Sequence, residues 1–180
     1  MTDTSVFSLT FELGVQAMLA PLILSLAILL MMIQIAFWRH AITSWLICCI
    51  SLVASIAALY YSSHSVPQQV SAILVTDQYS LFFSLLILFA TLITALLAKD
   101  YLERRTGENE EFYLLLMLAA LGALVLVSSI HLASFLLGLE LMGVALYALI
   151  AYPERGRLPL EAAIKSVSYT HLTLPTILLV

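Results

Sequence analysis

Five stretches of the chain each carry about twenty consecutive apolar residues, which is long enough for a helix to cross a bilayer. They run from about 13 to 38, 42 to 61, 79 to 98, 112 to 130 and 132 to 152, and a sixth stretch begins near residue 160. Membrane barrel strands would instead alternate with a period of two. The pattern therefore predicts an all-α integral membrane fold: a multi-helix bundle with five complete transmembrane helices and the start of a sixth.

The composition supports a membrane protein. Of the 180 residues 63% are hydrophobic and 10% are charged, whereas soluble domains carry about 25% charged residues. The net charge of -4 is small and scattered, with no basic cluster, so we expect a lipid bilayer and no nucleic acid as partner. Asp3 and Glu12, with no Lys or Arg around them, argue against a cleavable signal peptide. Cys48 and Cys49 lie in an apolar run, and we predict buried thiols and no metal site.

The basic residues predict the orientation of the chain in the membrane. All seven fall in connections on one side, after the first, third and fifth spans, and the opposite connections carry none. They are Arg39, Lys99, Arg104, Arg105, Arg155, Arg157 and Lys165. Cytoplasmic loops are enriched in Lys and Arg. The amino terminus is therefore predicted to lie outside.

Glu140 is the main candidate for chemistry. It lies close to the middle of the fifth predicted helix, too deep for its side chain to reach the interface. A charge at the centre of a membrane helix costs roughly 2.5–3.5 kcal/mol. One interpretation is a neutral carboxylic acid that hydrogen-bonds a neighbouring helix. The other, which we favour, is an ion or proton pathway. On this face, Gly143 would let another helix approach closely and Tyr147 offers a hydroxyl.

Two further residues are weaker candidates for the same pathway. Lys165 follows Glu161 at the i,i+4 spacing that favours a helical ion pair. It either stays at the interface in that pair or enters the bundle as a cationic partner for Glu140. His131, at the corner between the fourth and fifth helices, is either a helix cap or a group that changes its charge near neutral pH.

Three stretches resemble one protein family. Residues 109–152, "NEEFYLLLMLAALGALVLVSSIHLASFLLGLELMGVALYALIAY", the following "LEAAIKS", and "VTDQYSLFF" at 75–83 are similar to the subunit N family of the bacterial proton-pumping NADH-quinone oxidoreductase, respiratory complex I. The resemblance implies a fourteen-helix subunit of the bacterial inner membrane. It also implies inverted five-helix repeats, an outside amino terminus and a share in proton translocation.

The resemblance also implies roles for residues and partners. Glu140 matches a fifth-helix glutamate that pairs, in the family, with a lysine of a broken seventh helix, and Lys165 matches a sixth-helix lysine. Such a subunit is part of an enzyme but carries no redox centre and binds no cofactor itself. NADH, FMN, iron–sulfur clusters and quinone are expected elsewhere in the complex, and the expected partners are its other membrane subunits, including sister antiporter-like subunits.

The end of the chain departs from the family. Residues 167–176, "VSYTHLTLPT", resemble a translated sequencing adapter. We therefore expect residues 1–165 to be the N-terminal part of an antiporter-like domain, without the lysine partner of Glu140, and residues 166–180 to be a non-native tail. Two alternatives remain open. One is a subunit of a cation/proton antiporter complex or membrane-bound hydrogenase, and the other is a non-transporting scaffold in which Glu140 anchors helix packing.

Overall fold

The computed structural model describes residues 18–62, 68–69, 74–103, 110–152 and 157–169, and these form six helices and two short strands. In chain order they are α1 (Leu19–Phe37), α2 (Ala41–Ser62), β1 (Gln68–Gln69), β2 (Val75–Thr76), α3 (Gln78–Glu103), α4 (Glu110–Val127), α5 (Leu132–Ala151) and α6 (Arg157–Ser168). Helices α1 to α5 are long and apolar enough to cross a membrane. The predicted all-α membrane fold, with five spans and the start of a sixth, is confirmed.

Helices α1 to α4 form an antiparallel four-helix bundle. α1 packs against α2 and α4, α3 packs against the same two helices, and α2 also contacts α4 across the centre. Large apolar side chains from all four helices fill the middle and are almost completely buried: Leu24, Met31, Leu52, Leu88 and Met117. α5 lies outside this bundle against α4, and α6 packs on α5. Of the helices that the structure describes, the last two are therefore the least enclosed.

One end of the bundle carries described basic side chains, and we name it the basic end. Arg39, after α1, lies 3.8 Å from the carboxylate of Glu111 at the start of α4. The ammonium of Lys99 lies 4.2 Å from the ring centroid of Trp45, whose indole N–H donates to the carbonyl of Ala95 at 3.3 Å. These contacts bring two of the predicted cytoplasmic connections together. Residues 104, 105 and 155 lie outside the described residues, and the orientation of the chain in the membrane stays a prediction.

The opposite end, which we name the hairpin end, is tied together by backbone hydrogen bonds. β1 and β2 pair antiparallel, with Gln69 opposite Val75. The N–H of Val75 also donates to the carbonyl of Ser128 at 2.9 Å, and Leu74 forms a bridge with Ser129. The connection between α2 and α3 is therefore fastened to the corner that joins α4 to α5.

Helix ends follow local backbone chemistry more closely than apolar length. α1 begins at Leu19, which makes Pro21 its third residue, where a missing N–H costs no intrahelical bond. α3 begins after Asp77, whose carboxylate accepts the N–H of Ser80 at 2.7 Å while the N–H of Asp77 donates back to the Ser80 hydroxyl at 2.9 Å. The sequence offers Thr76 or Asp77 as the cap of this helix, and in the structure it is Asp77 that caps it. At its other end α3 continues to Glu103, five residues beyond the predicted span.

Candidate functional site

Glu140 is the ninth residue of α5 and lies on a face that the described residues leave exposed. At 1.5 Å per residue it is about 12 Å from the first residue of the helix, near the middle of the span. The predicted depth of Glu140 along the helix therefore holds, whereas the described residues do not bury its side chain against another helix. The physical reason is that, among the described residues, α5 packs mainly on α4 and α6, so that a much smaller share of its residues is buried than in α4.

Two glycines set how α5 meets α4. A methyl group built on Gly138 would lie 2.8 Å from the backbone nitrogen of Leu126 and 3.0 Å from the carbonyl oxygen of Gly122. A methyl group on Gly122 would lie 2.5 Å from the backbone nitrogen of Met142. Only glycine permits two helix backbones to approach this closely. This contact, the Gly122–Gly138 crossing, fixes the rotation of α5 and turns Glu140 away from α4.

The exposed face around Glu140 is otherwise apolar. Leu136, Leu137 and Val144 lie within one turn of it and are all exposed. Gly143 does not hold an approaching helix here, because the ring of Tyr147 lies over it, with the hydroxyl oxygen 3.7 Å from the position a Cβ would take. Tyr147 itself is two helical turns from Glu140, but its hydroxyl reaches back to Gly143, which is one turn from Glu140. The site is a mid-span carboxylate and a phenol on the outer surface of α5.

His131 precedes α5 as its N-cap residue, and its side chain is exposed. Its carbonyl accepts the N–H of Phe135 at 3.0 Å and the hydroxyl of Ser134 at 2.9 Å, but the imidazole makes no capping hydrogen bond. His131 therefore starts the helix through its backbone. Its position at the corner agrees with the prediction, and a role in proton transfer stays a prediction.

Lys165 lies on α6 and forms the ion pair expected from its spacing. Its ammonium is 2.7 Å from the carboxylate of Glu161, and both side chains are more than half exposed. The structure thus contains the helical pair of the first interpretation. Because α6 packs on α5, all three candidate residues belong to the same outer layer of the molecule. The second interpretation, in which Lys165 is a cationic partner for Glu140, stays a prediction.

Glu110 is not among the candidates predicted from the sequence, and the structure buries it to 6% exposure at the start of α4. A carboxylate in the first turn of a helix is favoured by the helix dipole, but nothing in the pattern of apolar residues signals the burial of Glu110. Among the described residues no three His, Cys, Asp or Glu side chains are grouped so as to hold a metal ion. Glu110 is thus buried at a helix end, whereas Glu140 is exposed at mid-span.

Taken together, the fold and the site define a multi-pass helical membrane protein whose outer layer presents a carboxylate at mid-span. No family model matches the chain. The NADH-quinone oxidoreductase subunit N of Methylococcus capsulatus is 44% identical to it over 149 residues, 83% of this chain and 30% of that protein. A solved chain from respiratory complex I of Thermus thermophilus with bound aureothin is 28% identical and superimposes with a TM-score of 0.69. The match covers 82% of this chain and 32% of that one.

The chain is therefore a homologue of the subunit N family of NADH-quinone oxidoreductase, as the three sequence stretches indicated. It spans about a third of the length of the two proteins that it matches.

Proposed function

We propose that this chain functions as part of a membrane subunit of a proton-translocating NADH-quinone oxidoreductase and contributes Glu140 to the pathway that moves or couples protons. The observation that carries the proposal is the position of this carboxylate, at mid-span on an α5 face that the described residues leave exposed, in a homologue of subunit N. A carboxylate facing lipid at this depth costs on the order of 3 kcal/mol. Further protein or water against this face would remove that cost.

The geometry suits reversible protonation better than packing. A carboxylate that served only to anchor α4 would point at α4, but the Gly122–Gly138 crossing occupies that side of α5 with backbone atoms. Glu140 lies on the outer face of α5, where a further helix could place a cation beside it, and a nearby cation would favour its charged form. Lys165 and His131 are the further residues we assign to this pathway.

The partners and the membrane location that we propose are those of the same family. We propose that the partners are other membrane subunits of complex I, including sister antiporter-like subunits, and that the membrane is the bacterial inner membrane. Electron transfer from NADH to quinone, with FMN and iron–sulfur clusters, belongs to other subunits in this proposal. The two matched proteins are an NADH-quinone oxidoreductase subunit N and a chain of respiratory complex I, which favours this function over an antiporter complex or a hydrogenase.

The test replaces Glu140 in the complete subunit within its assembled complex. Glu140→Gln keeps the shape of the side chain and removes the titratable proton, whereas Glu140→Asp keeps the acid. We expect Glu140→Gln to lower NADH-driven proton uptake into inverted membrane vesicles at least several-fold, and Glu140→Asp to retain most of it. A pH-sensitive dye reports proton uptake, and oxidation of NADH by a soluble acceptor reports that the complex has assembled.

Normal proton uptake by the assembled Glu140→Gln complex would remove Glu140 from the pathway and leave the scaffold interpretation. Equal losses in the Gln and Asp variants, with assembly intact, would also contradict the proposal, because keeping an acid at this position would then bring no advantage over an amide.

A further inference from the structure

A groove of about 450 Å³ lies at the basic end, between the end of α1 and the start of α4. Its walls are apolar, formed by Met32 and Ile35 on α1 and by Leu114 and Leu115 on α4. The groove runs along the outer surface of two spanning helices, where the surrounding medium is expected to be lipid. Its walls would therefore suit an acyl chain.

The mouth of the groove carries one charge of each sign. Arg39 and Glu111 line it together, each about half exposed, and their nearest charged atoms are 3.8 Å apart. This separation is longer than the 2.7–2.9 Å of a charge-assisted hydrogen bond. A guanidinium has five N–H donors and a carboxylate about four acceptor positions, so this one contact uses only part of the hydrogen-bonding capacity of either group.

The groove lies at the level where lipid headgroups are expected. Phe37 and Trp38, directly before Arg39, are 84% and 74% exposed. Trp side chains concentrate at the boundary between hydrocarbon and headgroups, because one part of the ring is apolar and the other can hydrogen-bond. The charged mouth therefore faces the headgroup layer, and the apolar walls continue toward the hydrocarbon.

We propose that this groove binds a zwitterionic phospholipid with a primary ammonium, phosphatidylethanolamine. The Arg39 guanidinium donates hydrogen bonds to the phosphate, the Glu111 carboxylate accepts them from the ammonium, and one acyl chain lies along the apolar walls. At both contacts the charge on the lipid is opposite to the charge on the side chain. An anionic headgroup satisfies Arg39 but is repelled by Glu111, and a quaternary ammonium has no N–H to donate to Glu111. This site is separate from Glu140 and does not depend on the proposed proton pathway.

The test measures lipid binding by the chain purified in detergent, using native mass spectrometry at increasing lipid concentration. The probes are phosphatidylethanolamine, phosphatidylcholine and phosphatidylglycerol with identical acyl chains. We expect phosphatidylethanolamine to bind with a Kd about fivefold lower than either of the others, the scale of one partly exposed charge pair. Equal or tighter binding of phosphatidylglycerol by the unmodified chain would overturn the proposal without any variant.

Variants separate the two contacts. Glu111→Gln is expected to weaken phosphatidylethanolamine binding about fivefold and to leave phosphatidylglycerol binding unchanged or stronger. Arg39→Gln is expected to weaken all three lipids, and Arg39→Lys to retain part of the binding. Lys99→Gln, the matched control, removes the same charge at the same end on α3. If Lys99→Gln and Arg39→Gln weaken binding alike, the attraction is a general property of the basic end and the groove is not a site.

Discussion

The Gly122–Gly138 crossing makes a prediction that the structure allows to be worked out in detail. Gly138→Ala places a methyl group 2.8 Å from the backbone nitrogen of Leu126, whereas ordinary contact begins at 3.4 Å. The obstructing atom belongs to the backbone and cannot rotate away. The helices must therefore separate locally by about 0.6 Å, the difference between these two distances.

The cost comes from lost packing. A gap of 0.5–1 Å forfeits roughly a quarter to a half of the attraction between facing atoms. Membrane helices depend on this attraction, because lipid supplies no hydrophobic drive between them. Overpacking of this kind costs about 1–3 kcal/mol. Alanine also favours the helix by about 1 kcal/mol relative to glycine, and this gain must be removed from the comparison.

Gly143→Ala is the matched control. It lies on the same helix and gains the same helix propensity, but its methyl group meets only the ring of Tyr147 at 3.6 Å, an ordinary contact. We expect the free energy of unfolding of Gly138→Ala to be about 1–3 kcal/mol lower than that of Gly143→Ala. The assay titrates a denaturing detergent into mixed micelles and follows helical circular dichroism.

A double variant tests the geometry further. Once the helices have separated for one methyl group, the second is accommodated at lower cost, so Gly122→Ala with Gly138→Ala should destabilise by less than the sum of the single variants. The reasoning is refuted if Gly138→Ala is as stable as Gly143→Ala, or if the two crossing glycines act independently.

Two smaller predictions concern the cap of α3 and a contact between α2 and α3. Asp77→Ala removes the cap of α3 and should lower the free energy of unfolding by about 1 kcal/mol, while Asp77→Asn, which keeps the acceptor, should lose little in the same titration. Trp45→Phe removes the hydrogen bond to the Ala95 carbonyl and weakens the ring contact with Lys99, and should cost about 1 kcal/mol. Trp38→Phe, on a ring that is 74% exposed, is its control, and equal effects would contradict the assigned contacts.

The apolar pattern predicted the number of spans because crossing a bilayer requires about twenty apolar residues whatever the neighbours are. Helix ends were less predictable. Lys99 and the polar residues after it continue α3 to Glu103, since a helical backbone keeps its hydrogen bonds as it leaves the hydrocarbon. The length of the apolar stretch does not predict that these polar residues are helical. Asp77 was predictable as a cap, because its chemistry is local.

The face that each helix presents to its neighbours could not be predicted from hydropathy. α5 is apolar nearly all round, so no stripe indicates which side packs, and the exposure of Glu140 depends on Gly138 meeting Gly122 sixteen residues earlier in the chain. The Arg39–Glu111 groove joins residues 72 positions apart, and no local pattern connects them.

The Gly122–Gly138 crossing also decides from which direction water can reach α5. Backbone atoms of the two helices lie so close there that a methyl group does not fit, and a water molecule needs more room than that. The seam between α4 and α5 is therefore dry at the level of Glu140, two residues beyond Gly138. Any hydrated route to this carboxylate therefore has to approach from the side of α5 that faces away from α4. The four-helix bundle closes the other side.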